Sequence, residues 1–174
     1  MLAIWKAVKE QFEQGKNFVL ATILSVRGSS PRHVGTRFLV KSDGSIVGTI
    51  GGGLFEARVQ KFAAEALEKG ISHRAYFSFT GKDAESTEMI CGGDAEVLVE
   101  FVEANDPDWL QIYEQLLNIA RNRSTGYFFT EVPIPVGGQS SVRIKHLLID
   151  GDGTRLGGFS GDEVIGKFMP ESRL

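Results

Sequence analysis

Three glycine-rich segments combine bare backbone with side chains that can bind anions or do thiol chemistry. They are Arg-Gly-Ser-Ser-Pro-Arg at 27–32, Gly-Gly-Gly-Leu-Phe-Glu at 51–56 and Met-Ile-Cys-Gly-Gly-Asp at 89–94. Glycine lets a ligand approach the backbone closely, and exposed N–H groups can hold an anion. Each segment lies where a hydrophobic strand is predicted to stop or start. The sequence therefore predicts one pocket assembled from all three.

The triplet Gly51, Gly52 and Gly53 precedes a predicted helix. The first N–H groups of a helix lack intrahelical partners and carry the positive end of its dipole, which suits a phosphate. The spacing is neither a dinucleotide-binding fingerprint nor a P-loop. The alternative is a tight turn that needs positive φ. For Glu56, early in the helix, a ligand role and simple dipole compensation are equally open.

The first segment supplies donors. Arg27 and Arg32 carry guanidinium forks that match phosphate and oxo-anion geometry, and Ser29 and Ser30 add hydroxyls. Pro31 stiffens the loop, which lowers the cost of ordering it around a ligand. The alternative is an ordinary solvated loop.

The third segment holds the only cysteine of the chain, Cys91, followed by Gly92 and Gly93. Adjacent glycines leave a sulfur less covered, and a thiolate suits molybdenum or sulfur chemistry. An inert core cysteine is the bland alternative. The three histidines show no metal-ligand spacing.

These segments need elements to position them. A helix is predicted before Gly15, a strand over Phe18–Val26 and a hairpin around Asp43-Gly44. A helix then runs from the glycine triplet to Gly70, and another starts at Asp106-Pro107 and runs to about Arg121. Further strands are predicted at Tyr76–Phe79, Ala95–Val102, Tyr127–Thr130 and from Leu147.

The second half of the chain repeats the first. Leu147–Thr154 parallels Phe38–Ser45, and Gly157–Gly161 parallels Gly48–Gly52. A chance recurrence of a common helix–strand–hairpin unit is the alternative. We expect an α/β (mixed α+β) fold in which a mixed sheet with flanking helices is shared by two half-units, about 1–104 and 105–174, in one domain of residues 1–174.

Composition limits the function classes. The net charge is −3, which gives no reason to expect nucleic acid or an anionic membrane as partner. One cysteine excludes an internal disulfide framework. No apolar run has the length of a signal peptide or a membrane span. We expect a cytoplasmic protein.

The order of motifs resembles a known family. The chain contains, in this order, Gly-Ser-Ser-Pro-Arg-x-x-Gly, then Gly48-Thr49-Ile50 with the glycine triplet and Glu56, then Ile90-Cys91-Gly92-Gly93. This order is similar to that of the XdhC/CoxI family, the accessory proteins of xanthine dehydrogenase and related molybdenum hydroxylases. The resemblance runs from about Asn17 to Glu100. It implies a chaperone or maturation factor, more than a catalyst, that transiently binds molybdenum cofactor (molybdopterin or its dinucleotide form).

The resemblance also implies site residues and partners. It points to Arg32 and Cys91 in particular, with Cys91 as a molybdenum contact. The implied partners are a xanthine dehydrogenase-like apo-enzyme, a cysteine desulfurase and a second copy in a homodimer.

The chain departs from the family pattern in two places. Some members have a cysteine where this chain has Leu54. Longer members carry a C-terminal Rossmann-like domain, which the sequence given does not contain. Two other functions stay open: an enzyme with Cys91 as nucleophile, for which the sequence places no general base, and an interaction module that binds an oxidoreductase without holding cofactor.

Overall fold

The computed structural model describes residues 2–28, 33–79, 93–132, 144–159, 161 and 165. Within them lie three helices and eight strands, so the predicted mixed α/β class is confirmed. The helices are α1 (Leu2–Glu13), α2 (Gly53–Lys69) and α3 (Pro107–Asn122). The strands are β1 (Phe18–Gly28), β2 (Arg37–Lys41), β3 (Ile46–Gly48), β4 (His73–Phe79), β5 (Gly93–Val102), β6 (Gly126–Glu131), β7 (Lys145–Asp150) and β8 (Arg155–Gly157).

The described strands form two sheets. One has the order β3-β2-β1-β5-β4, and the other has the order β6-β7-β8. Within each sheet, every described pair of neighbouring strands is antiparallel. This differs from the single shared mixed sheet that the sequence predicted. Short turns join β2 to β3 and β7 to β8, and such turns impose antiparallel pairing.

The larger sheet is covered on both faces. Against one face packs α2, with a buried cluster that includes Val19, Phe38, Phe55, Val59 and Val97. Against the other face pack α1 and α3 in a second cluster, which also takes in Leu148 and Phe128 from the smaller sheet. The second cluster therefore joins the two half-units through apolar packing.

The helix ends follow the predicted signals. At the start of α3 the Asp106 side chain accepts hydrogen bonds from the amides of Asp108 and Trp109, and Pro107 takes the first helical position. At the end of α2, Gly70 has the left-handed conformation (φ 65°) and its amide bonds to the Ala66 carbonyl. None of the described helices is both long enough and apolar enough to cross a membrane.

The two half-units share one local architecture, a helix followed by a three-stranded meander (α1-β1-β2-β3 and α3-β6-β7-β8). In each half-unit, the turn between the last two strands, β2–β3 or β7–β8, contains the same pair of backbone hydrogen bonds. In one, Lys41 N bonds to Ser45 O and Gly44 N to Lys41 O; in the other, Asp150 N bonds to Thr154 O and Gly153 N to Asp150 O. The structure thus supports the repeat, and its outer limits stay a prediction.

Candidate functional site

Strand register joins the first and third glycine segments. At the end of the β1–β5 ladder, Arg27 pairs with Asp94 and Gly28 with Gly93. A Cβ on Gly93 would lie 2.3 Å from the Arg27 carbonyl oxygen, so only glycine fits there. Gly28 and Gly93, which border residues 29–32 and 80–92, therefore lie side by side at this end of the ladder.

Five of the predicted site residues lie outside the described residues. They are Ser29, Ser30, Arg32, Cys91 and Gly92. Their place in a shared pocket stays a prediction. Arg27 is described, and its side chain is exposed at the strand end.

The second glycine segment reaches the same end of the sheet. Phe55, in the first turn of α2, packs edge-on against Phe77 with ring centroids 5.2 Å apart. Phe77 pairs with Ala95, two residues along β5 from Gly93. The start of α2 therefore lies close to the Gly28–Gly93 pair, as the single-pocket hypothesis requires.

The glycine triplet has a backbone that other residues rarely adopt. The φ angles of Gly51, Gly52 and Gly53 are 141°, 77° and 59°. A Cβ on Gly52 or Gly53 would meet no atom within 4 Å, so the backbone there faces open space. The positive φ angles agree with the alternative that these glycines serve a tight turn. There is also room for a ligand beside the backbone of Gly52 and Gly53.

Glu56 already binds much of this loop. Its Oε2 accepts hydrogen bonds from the Thr49 hydroxyl, from Ile50 N (3.0 Å) and from Gly52 N (3.2 Å). Gly51 N donates to Thr49 Oγ1 at 3.2 Å. Two of the amides predicted to hold an anion therefore bond within the protein, while no described residue accepts from the amides of Gly53 or Leu54. Glu56 holds the loop in shape.

A second polar cluster, which the sequence did not predict, lies between the half-units. Glu100 and His146 are 3% and 6% exposed. Glu100 Oε1 lies 2.6 Å from His146 Nε2 and accepts from Trp109 Nε1 at 3.1 Å. His146 Nδ1 lies 3.1 Å from the Thr130 hydroxyl. Every polar atom of the imidazole thus has a partner, as burial demands.

Arg37 occupies the equivalent place in the first half-unit. Its Nε donates to Thr22 Oγ1 at 3.2 Å, as His146 contacts Thr130 in the second. The guanidinium carbon lies 5.4 Å from the Phe128 ring centroid and 6.0 Å from that of Trp5. Burial lowers the pKa of Arg37, and the nearby Glu100 opposes that shift. The only sequence signal was the repeat, which aligns Arg37 with His146.

The described residues hold no preassembled metal centre. Among them, no three His, Cys, Asp or Glu side chains come close enough together to bind a metal ion.

Known proteins match this chain over its first half. Residues 11–78 match the XdhC and CoxI family. The Escherichia coli (strain K12) protein YqeB is 38% identical over 87 residues, which is 50% of this chain and 16% of YqeB. The molybdenum cofactor insertion chaperone PaoD from the same organism is 30% identical over 100 residues, which is 56% of this chain and 30% of PaoD.

A solved structure shows the same fold. The crystal structure of a xanthine dehydrogenase from Bacillus halodurans superposes with a TM-score of 0.70 at 20% identity, covering 99% of this chain and 50% of that one. The matches thus span less than a third of the two curated relatives and half of the solved chain. The sequence resemblance is confirmed, and residues 11–78 of this chain match the XdhC and CoxI family.

Proposed function

We propose that the protein is an accessory factor that binds molybdenum cofactor as cargo and supports its insertion into a xanthine dehydrogenase-type apo-enzyme. The observation that carries this proposal is the match to PaoD, a molybdenum cofactor insertion chaperone. The family match over residues 11–78 supports it, because that range contains the first two glycine segments.

The geometry at the sheet end is compatible with such cargo. In the proposal, Arg27, Arg32, Ser29 and Ser30 bind the pterin phosphate or pyrophosphate, helped by the amides at the start of α2. The open space beside Gly52 and Gly53 gives that group room to approach the backbone. Because Glu56 takes the Gly52 amide, we assign Glu56 to shaping the loop and the arginines to the charge.

The third segment gives the proposal its metal contact. Cys91, flanked by Gly92 and Gly93, meets the molybdenum or its terminal sulfur, since a thiolate is a soft ligand. A cysteine desulfurase as sulfur source, a homodimer and a cytoplasmic location belong to the proposal as further predictions.

The test is purification of the protein from molybdate-supplied cells, with metal and pterin analysis, followed by activation of a xanthine dehydrogenase-type apo-enzyme. We expect bound molybdenum and pterin in the wild type. Arg32→Ala should lose about 1.5–3 kcal/mol of binding free energy, which is the usual worth of a charge-assisted hydrogen bond. Arg121→Ala, an exposed arginine on α3, is the matched control and should bind like the wild type.

Cys91→Ser separates the chaperone from an enzyme. In a chaperone this variant keeps the fold, retains cofactor less well and activates less apo-enzyme. In an enzyme with a cysteine nucleophile it binds its ligand and fails to turn it over. Wild-type protein that carries neither molybdenum nor pterin and does not activate the apo-enzyme would refute the proposal.

A further inference from the structure

A cleft of about 430 Å³ opens in the first half-unit between α1, the approach to β2 and the end of β3. Its walls include Trp5, the segment Val34–Arg37 and the pair Gly48–Thr49. Val34 at its rim is 60% exposed, although it is apolar. Among the described residues that line the cleft, Arg37 alone is charged.

The guanidinium of Arg37 has hydrogen-bond donors that no described residue uses. Its Nε bonds to Thr22, and no described residue accepts a hydrogen bond from its two terminal nitrogens. Arg37 is half-buried and lines the cleft, so a ligand in the cleft lies beside this side chain. An arginine stays protonated in proteins, so the cleft carries a fixed positive charge with unused, fork-shaped donors.

The position of that charge is restricted on several sides. The guanidinium lies near the rings of Trp5 and Phe128, and its Nε is tied to Thr22. Glu100 attracts it electrostatically, yet Glu100 bonds to His146 and Trp109, and among the described residues Arg37 and Glu100 form no ion pair with each other. A donor held in place loses little entropy when it binds.

The equivalent cleft of the second half-unit differs in the features that matter for an anion. It measures about 260 Å³ and is lined by His146, Trp109 and Gly157, but also by Asp106 and Asp108. Both ring nitrogens of His146 already have partners. The second cleft has its own cation, the exposed Lys145, but the two aspartates in the same lining oppose an anion there.

We propose that the Arg37 cleft binds a small molecule bearing an oxyanion, a carboxylate or phosphate group, on an apolar body. The oxyanion pairs with the terminal nitrogens of Arg37, and the body lies along Trp5 and Val34. Guanidinium forks match such groups bidentately. The inference stands on this cleft alone and does not depend on molybdenum cofactor.

The test is a titration of the full chain with benzoate, monitored by NMR. The chemical shifts of the Gly48 backbone amide and of the indole N–H groups of the two tryptophans are measured. Trp5 lines the proposed cleft and Trp109 lines the equivalent one, so each indole reports on one cleft. We expect saturable shifts at Trp5 and Gly48 and none at Trp109. Inorganic phosphate should compete if the oxyanion dominates recognition, whereas failure to compete assigns the site to carboxylates.

Variants decide the role of the charge. Arg37→Met should weaken benzoate at least about tenfold, the loss expected for a charge-assisted contact. Lys145→Met, a cation in the lining of the other cleft, is the matched control and should change nothing. If Arg37→Met does not fold, Val34→Glu replaces it: a carboxylate at the exposed rim should weaken benzoate severalfold relative to Val34→Gln. Equal affinities across these variants, or shifts at Trp109 as large as at Trp5, would overturn the proposal.

Discussion

The two half-units have the same hairpin turn and the same strand order, yet they differ at an equivalent polar position that lines their clefts. Arg37 lies beside Thr22 in the first, and His146 lies beside Thr130 in the second. The turn hydrogen bonds and the positive-φ glycines Gly48 and Gly157 recur in both. The repeat thus keeps the backbone framework and changes the side chain that the framework presents.

The partners of those two side chains are unequal as well. Glu100, on β5 of the first half-unit, bonds to His146 and Trp109 of the second. His146 beside the second cleft is therefore held in a buried network with both ring nitrogens bonded, whereas no described residue bonds to the terminal nitrogens of Arg37 beside the first. The first half-unit also contains α2 and the glycine segments. The comparison suggests that the second half-unit serves as support and the first carries the chemistry.

The largest effect is expected when the carboxylate of Glu100, which links the two half-units, is removed. Glu100→Ala should lower the free energy of unfolding by about 3–5 kcal/mol, because it leaves a buried imidazole and a buried indole N–H without their acceptor. Urea unfolding followed by tryptophan fluorescence measures this. Both Trp5 and Trp109 belong to the shared core cluster, so single-tryptophan variants should report one transition.

The matched control for that prediction is Glu103→Ala, an exposed acid near the end of the same strand. It should change stability by less than about 0.5 kcal/mol, as surface substitutions usually do. A Glu100→Ala loss as small as that of the control would mean that the network does not couple the half-units.

Local signals in the sequence predicted the elements well. Asp106-Pro107 marks the start of α3, Gly70 the end of α2 and Asp43-Gly44 the first hairpin, and each acts through its own backbone geometry. The ends of β1 and β5 were predicted too short. The Gly28–Gly93 pairing depends on a cross-strand partner that is distant in the chain, and no local pattern encodes it.

The site was predictable only in part, for the same reason. The sequence singled out Gly51–Gly53 and Glu56, but the bond from Thr49 to Glu56 forms only after the positive-φ loop folds the chain back on itself. Arg37, Glu100 and His146 are far apart in sequence and form no motif. Long-range packing brings them together, so the repeat alone hinted that Arg37 and His146 are equivalent.

A smaller difference in stability is expected between substitutions at two equivalent glycines, Gly48 and Gly157, which line the two clefts. A Cβ on Gly157 would lie 2.3 Å from the His146 carbonyl oxygen, whereas on Gly48 it would lie 3.2 Å from that of Arg37. Gly157→Ala should therefore cost about 2–4 kcal/mol, from left-handed backbone and overpacking together, and Gly48→Ala less. Thermal and urea unfolding of the pair measures the difference.

The control for the glycine pair is Gly153→Ala. Its φ of 83° resembles the 78° of Gly157, but a Cβ there meets nothing within 4 Å. Only the backbone penalty of about 1–2 kcal/mol should remain. Equal losses for all three variants would show that the close approach at Gly157 adds nothing.

The smallest expected effect compares two histidines, one in each half-unit, of which His146 is buried and His73 is half-buried. His146 has partners for both ring nitrogens, whereas Nε2 of His73 on β4 is buried without a described partner, and its ring packs against Phe62 at 5.5 Å. Burial lowers the pKa of His73 from its ordinary value of 6.5, so the unfolded chain takes up this proton first as the pH falls. Stability should therefore decline as the pH drops below that value. His73→Leu, which cannot titrate, should lose less stability than the wild type between about pH 7.5 and about pH 5.5 in urea unfolding. A stability difference between the two proteins that stays constant over this range would mean that His73 is protonated as easily in the fold as in the unfolded chain.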